Sequence, residues 1–534
     1  MATVFTPMTG SEDTSPRHAV VGAVAALALA YGVAACFQVP QQWTTAALGH
    51  GAAHAEEHAA GSEGDSHATS HAAEALAPPA LWSVLPFVAL LAAIAVFPLM
   101  HATEHWWEEN VNRFKVAVAL GLATLAYYGF VHRAPIEAHW PGHAIVAPTG
   151  SWCEFGLVKT VLANAMLSEY VPFIVLLFSL YTIAGGIRIE GDLQATPATN
   201  AKFMAAGGLL ASLIGTTGAA MLLIRPLLET NRERKHVAHT VVFFIFIVCN
   251  CGGCLLPIGD PPLFLGYLEG VDFSWTLSLW GPWLLVNGLL LAAYLAADRL
   301  YFFRREQSAD VRRDAVQVRR LTIDGLRANG PLLIGVVLAV ALLDPKKTLP
   351  GTSWHPWMYM RELVQLGLVA LSLRLGSARV RTANNFNYAA IIEVAALFVG
   401  IFICMQPALQ ILGAHGADLV ERYQLGPMSF FWATGALSSF LDNAPTYLVF
   451  FKTVQHPELH PVTGGVEPLL LTAISLGAVF MGAMTYIGNG PNFMVKAIAE
   501  KSGVRMPSFF GYMAYSCGIL LPILAVANWA FLAD

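Results

Sequence analysis

An all-α integral membrane protein, built as an inverted repeat, is the fold class that three observations predict. Of 534 residues, 56% are apolar and only 12% charged, and the mean hydropathy is +0.56. Soluble chains carry about 25% charged residues, so this chain has too few charges to cover a soluble surface of its size. Apolar segments of membrane-spanning length recur from residue 82 onward. Short Gly- and Pro-containing motifs recur in the two halves at nearly one offset. Collagen-like, disordered, disulfide-scaffold and nucleic-acid-binding chains are excluded together. The seven cysteines fall mostly in apolar stretches, where the thiol behaves as a small hydrophobe. Cys249, Cys251 and Cys254 flank Gly252 and Gly253. That grouping reads as close helix packing, with a soft-metal site as the alternative.

The elements follow in chain order. Residues 1–36 read as a signal peptide or an N-terminal transmembrane helix, since Arg17 and His18 precede an apolar run ending at Cys36. Residues 37–80 form an Ala/His-rich external linker. Its His50, His54, His58, His67 and His71 include i, i+4 pairs, a weak metal-capture signal beside the simpler reading of a solvated linker. The first repeat covers 81–300, a basic cytoplasmic loop 301–327, and the second repeat 328–534. Spans are expected over 82–100, 114–131, 169–186, 237–268, 277–297, 332–343, 357–375, 388–411, 469–498 and 510–532. That makes about ten, or eleven if the N-terminal run is kept. Segments 203–228 and 428–451 carry Gly or Pro near their centres and are expected to be re-entrant hairpins. Lys and Arg concentrate in the loops then assigned to the cytoplasm, above all between Arg299 and Arg327. This places the His-rich linker outside.

The repeat is visible residue by residue. Ser212-Leu213-Ile214-Gly215-Thr216-Thr217-Gly218 lies over Ser439-Phe440-Leu441-Asp442-Asn443-Ala444-Pro445, and Arg225 falls on Lys452. Ile258-Gly259-Asp260-Pro261-Pro262-Leu263-Phe264 lies over Ile487-Gly488-Asn489-Gly490-Pro491-Asn492-Phe493, and Glu169 lies over Glu393. The span order makes the two halves opposite in orientation. Inverted repeats with broken helices are the architecture of secondary transporters, because irregular backbone survives at membrane depth only where it lines a cavity or is buried in protein.

A helix break exposes backbone carbonyls and amides, and a hard cation such as Na+ takes oxygen ligands. The candidate ion- and proton-binding residues are therefore Asp442, Asn443, Asp260, Asn250, Thr446, Ser439, Thr216, Thr217, Asn489, Asn492, Glu393 and Glu169. A carboxylate at the bilayer centre costs about 2.5–3.5 kcal/mol on insertion scales, which makes Asp260, Asp442 and Glu393 the foremost of them. Na+ and H+ both neutralise a carboxylate and so compete for it. The bland readings are an N-cap for Asp442, a turn residue for Asp260, an Arg partner for Glu393, an interfacial position for Glu169, and hairpin-foot anchors for Arg225 and Lys452. The amides, on that view, satisfy freed backbone groups.

The stretch Ser438-Ser439-Phe440-Leu441-Asp442-Asn443-Ala444-Pro445-Thr446 resembles the Asp-Asn hairpin motif of NhaD-type sodium:proton antiporters, of the ion transporter superfamily. Asn250-Cys251-Gly252-Gly253 through Pro257-Ile258-Gly259-Asp260 resembles that family's second motif. From Glu169 onward the chain is similar to a bacterial group described as sodium:proton antiporters or citrate transporters. The resemblance implies a homodimer with scaffold and transport parts, elevator-type alternating access, and ion sites at Asp442, Asn443, Asn250 and Asp260. The first hairpin departs from the pattern, with Ile214-Gly215-Thr216-Thr217 where an Asp-Asn pair is usual.

The function expected is Na+ (or Li+)/H+ antiport across a bacterial inner membrane, with membrane lipid as a partner. No catalysis, cofactor, nucleotide or nucleic acid is expected, and Na+ and H+ are the transported ions. The alternatives are a citrate, dicarboxylate or other anion transporter of the same superfamily, and a non-transporting membrane metal sensor.

Overall fold

Backbone N–H and C=O groups have no water partners inside a bilayer, so a spanning chain must bond them within each segment, and helix dominates. The computed structural model describes residues 15–48, 77–306, 319–456 and 462–533. Among these, four helices are long and apolar enough to span: Arg17–Cys36, Phe155–Ala184, Trp275–Arg305 and Phe509–Leu532. Ala389–Cys404 and Gln406–Tyr423, bent by 45° at Met405, make a fifth if taken as one span. Leu81–Val96, Ala238–Cys254, Leu326–Leu342 and Pro468–Met484 are apolar but shorter. The expected ten continuous spans therefore do not emerge as ten long helices.

The reason lies in the breaks. The expected span 237–268 is a helix Ala238–Ile247, an irregular stretch, and a second helix Pro261–Leu268. Proline lacks an N–H and cannot close an interior helical bond, so Pro261 and Pro262 are placed where a helix begins. In the second half, Pro468–Met481 and Gly490–Lys501 flank the matching break. Every residue from His239 to Ile247 is buried. A helix apolar and buried all round belongs at the centre of a domain.

Two hairpins close on these broken helices. The first joins Pro197–Ile214 to Thr216–Thr230 at Gly215. The second joins Pro427–Ser438 to Asn443–Thr453 through residues 439–442. Asn110–Phe130 and Ala389–Cys404 pack together at the side, and the N-terminal helix Ser15–Cys36 lies on Met360–Leu375. Arg17 donates to Leu373 O at 2.5 Å and Gly376 O at 3.1 Å. Tyr31 donates to Met358 O at 3.0 Å.

Two details depart from the all-helical expectation. Ile136–Ala138 pairs antiparallel with Ala144–Val146, and Arg188–Asp192 with Arg319–Asp324. Both are short sheets in connecting segments, and the second tethers the end of the basic loop. Glu169 also moves. It was placed at the head of a span, but lies well inside the helix Phe155–Ala184, on a π-helical segment Asn164–Tyr170, and is 6% exposed. The preceding turns, Phe155–Ala163, belong to the same helix.

Candidate ion-binding site

The two halves repeat the same contacts around each break. Ser212 Oγ donates to Gly252 O at 2.6 Å, and its counterpart Ser439 Oγ donates to Met481 O at 3.2 Å. Backbone crosses backbone closely at both. A Cβ on Gly259 would lie 2.2 Å from Gly253 O, and one on Gly488 would lie 2.6 Å from Gly482 O. No side chain fits such distances, so both positions require glycine. Ser212 and Gly253 lie within the sequence motifs above, although with no role assigned to them, and Gly482 lies outside those motifs. The signal for Gly482 is the repeat alignment itself, extended a few residues upstream to set it over Gly253.

Each hairpin tip and each break starts a helix, and four of these starts meet at one carboxylate. Asp260 precedes Pro261–Leu268 and is 1% exposed. Its Oδ1 accepts from Thr216 Oγ1, the first residue of its helix, at 3.0 Å. Its Oδ2 accepts from Asn443 Nδ2, also a first residue, at 2.7 Å. Asn489 precedes Gly490–Lys501, and its Nδ2 reaches Asp260 Oδ1 at 3.4 Å. Thr216 and Asn443 are repeat counterparts, as are Asp260 and Asn489. Helix N-termini carry partial positive charge, and charge-assisted hydrogen bonds contribute about 1.5–3 kcal/mol each. Together they offset part of the desolvation of one buried carboxylate.

One atom in the site lacks a partner. Asn443 must turn Nδ2 toward the carboxylate, which leaves its Oδ1 as a buried acceptor with no hydrogen-bond donor. An oxygen of this kind, beside a carboxylate, has the chemistry that a hard cation takes.

Asn250 and Asn492 play a different part. Asn250 Nδ2 donates to Ile245 O at 2.9 Å and to Asn492 Oδ1 at 2.8 Å. Asn492 Nδ2 donates to Gly482 O at 2.9 Å and Thr485 O at 3.0 Å. Asn489 Nδ2 also reaches Cys249 O at 3.1 Å and Asn250 Oδ1 at 3.2 Å. These amides satisfy carbonyls freed by the breaks and hold the two broken helices to each other.

The remaining candidates stand elsewhere or do other work. Asp442 caps the second hairpin's helix, accepting from Ala444 N at 3.1 Å. Thr446 Oγ1 donates to Asp442 O at 3.0 Å. Ser439 uses its hydroxyl on Gly435 O and Met481 O. Thr217 is half-buried, and it is its neighbour Thr216 that meets Asp260. Glu393 pairs with Arg113 at 2.9 Å, in another part of the molecule. Glu169 accepts from Gln406 Nε2 at 3.2 Å, and its other oxygen has no partner. Glu169 and Glu393 thus have different partners, although they align at the repeat offset. Lys452 pairs with Glu269 at 2.5 Å, and Arg225 donates to Asn384 O. Cys249, Cys251 and Cys254 are buried free thiols, and Gly252 packs so closely on Gly208 that a Cβ would lie 2.5 Å from Gly208 Cα. The five linker histidines, His50, His54, His58, His67 and His71, lie outside the described residues.

An apolar cavity of about 450 Å³ flanks the second hairpin, between Leu437, Leu441 and Val449 on one side and Phe87, Leu91 and Ile411 on the other. Its lining has nothing to offer a charged solute.

The model of the CitMHS_2 family, described as "Putative citrate transport", matches residues 77–532. The chain belongs to that family. It is also similar to the P protein of Homo sapiens, 24% identical over 271 residues, covering 46% of this chain. The match spans about a third of that relative's length, 31%. Membership of the CitMHS_2 family, with the apolar helices, makes the chain a multi-pass membrane protein of a transporter family.

Proposed function

We propose that the chain is a Na+ (or Li+)/H+ antiporter whose ion site is centred on Asp260. The observation that carries this reading is the Asp260 carboxylate held by Thr216, Asn443 and Asn489, beside the orphan Asn443 Oδ1. A cation there takes oxygens from Asp260, Asn443 and Thr216, with Asp442 as a second carboxylate close enough to act on Asp260. A proton neutralises the same carboxylate and expels the cation. Loaded with either, the transport part made of hairpins and broken helices moves across the scaffold in an elevator-type step. Competition for one site, with access alternating between faces, is sufficient for antiport.

The family's description favours a second reading, in which citrate or another anion is the cargo. Four helix N-termini are suited to a carboxylate. Asp260 already occupies the place where they converge, however. Two like charges 4 Å apart cost about 4 kcal/mol at an effective dielectric of 20. An anion therefore needs a cation or proton on Asp260 first, so both readings share the cation site.

Purified protein in liposomes with an acidic interior, an internal pH dye and a clamped membrane potential separates the two. A rise in internal pH on adding external Na+ or Li+ is expected, and its loss in Asp260→Asn. Silence to both cations with a response to citrate would overturn the antiport reading and leave Asp260 as a coupling-ion site.

A further inference from the structure

The short hairpin at 136–146 carries a cluster that the transport reading does not use. Glu137 faces Ile145 in its register, and Ala138 faces Ala144. Continued toward the turn, that register sets His139 opposite His143. Side chains two apart on a strand share a face, and directly opposed residues meet across the ladder. Glu137, His139 and His143 therefore project from one face, and their ligand atoms all lie within 4.8 Å of one another. His143 Nδ1 sits 2.7 Å from Glu137 Oε1, and His139 Nε2 sits 3.6 Å from Glu137 Oε2.

The strand that bears two of these groups is fixed from below. Asn164 Nδ2 donates to Glu137 O at 2.8 Å, and His139 N donates to Asn164 Oδ1 at 2.7 Å. Asn164 is buried and opens the π-helical segment that carries Glu169. A rigid backbone under three convergent donors is what separates a metal site from a solvated ion pair.

We infer that Glu137, His139 and His143 form a binding site for one divalent transition-metal ion of the zinc class, distinct from the transported-ion site at Asp260. Two imidazoles and a carboxylate suit Zn2+, Ni2+ or Cu2+ rather than Mg2+ or Ca2+. Three protein ligands leave a fourth position open, as in exchangeable rather than permanently closed zinc sites.

The test uses the full-length chain in detergent, with His50, His54, His58, His67 and His71 all changed to Ala so that the linker cannot contribute. Zn2+ is titrated by calorimetry, and Co2+ is added separately to follow its visible ligand-field bands. The expected result is one equivalent of Zn2+, with Co2+ bands of four- or five-coordinate intensity. Changing His139→Gln or His143→Gln should weaken binding well beyond the roughly tenfold to hundredfold loss typical of an outer-sphere change. Glutamine keeps the side chain polar and the hairpin intact, and unchanged thermal unfolding without metal verifies this. Absence of a bound equivalent in the five-histidine variant, or affinity unchanged by either glutamine substitution, would overturn the assignment.

Discussion

The first hairpin turns on a single residue, Gly215, at φ +80°, whereas the second turns through residues 439–442 and enters its helix from Asp442 at φ −55°. The alignment sets Gly215 and Asp442 at the same place, and their backbones differ in the sign of φ. A residue with a Cβ pays conformational strain at positive φ, so the first tip is closed to the carboxylate that the second tip carries. The next residue is also unequal. Thr216 offers Asp260 one hydroxyl, while Asn443 offers an N–H and keeps a buried oxygen in reserve. A repeated scaffold thus holds an asymmetric site, with one central carboxylate on the first broken helix and an amide, Asn489, in its place on the second.

That asymmetry can be broken by substitution. Asp260→Asn is expected to have the largest effect, lowering cation-driven proton movement in liposomes by about a hundredfold or more, since roughly 3 kcal/mol attaches to a charged hydrogen-bonded group. Retained exchange would move the site elsewhere. Next come the two tips. Asn443→Ala is expected to weaken Na+ activation by about a hundredfold and Thr216→Ala by about tenfold, because one removes a ligand and a donor and the other a single hydroxyl. Equal effects would mean that the tips contribute alike and that the orphan oxygen is not a ligand. Gly215→Ala tests the backbone difference. Its Cβ has open room, with the nearest atom 3.6 Å away, so a loss of about 1–3 kcal/mol in thermal stability would come from conformation alone. Asp442→Ala is expected to cost about 1 kcal/mol as a lost helix cap. Activity falling much further than stability would assign Asp442 to the ion path as well. Glu393→Gln is expected to change exchange least, since its partner Arg113 lies away from the site.

Much of this was legible beforehand. The breaks were readable because Pro and Gly have backbone requirements that no other residue meets, and the repeat doubled every signal. Convergence of Asp260 with Thr216 and Asn443 followed from placing hairpin tips beside breaks. What sequence could not separate was the work of similar residues. Asn250 and Asn492 look like ligands in a string of letters, but tie down carbonyls at Ile245, Gly482 and Thr485. Thr216 and Thr217 are indistinguishable until a helix start orients them. Glu169 stands at the head of the expected span because the span was begun there, whereas the helix starts at Phe155. Glu137, His139 and His143 were missed because a hairpin's cross-strand register brings them together.

The apolar seam beside the second hairpin has a mechanical consequence. Its walls, from Phe87 and Leu91 to Leu441 and Val449, contain almost no polar atoms. Two surfaces that share no hydrogen bonds meet only dispersion resistance when they slip, and that resistance resembles the friction of hydrocarbon on hydrocarbon. In the elevator-type step proposed above, the rate of travel along such a seam should follow the fluidity of the surrounding bilayer. A lipid that stiffens the acyl region should slow turnover without altering how tightly the ion is held.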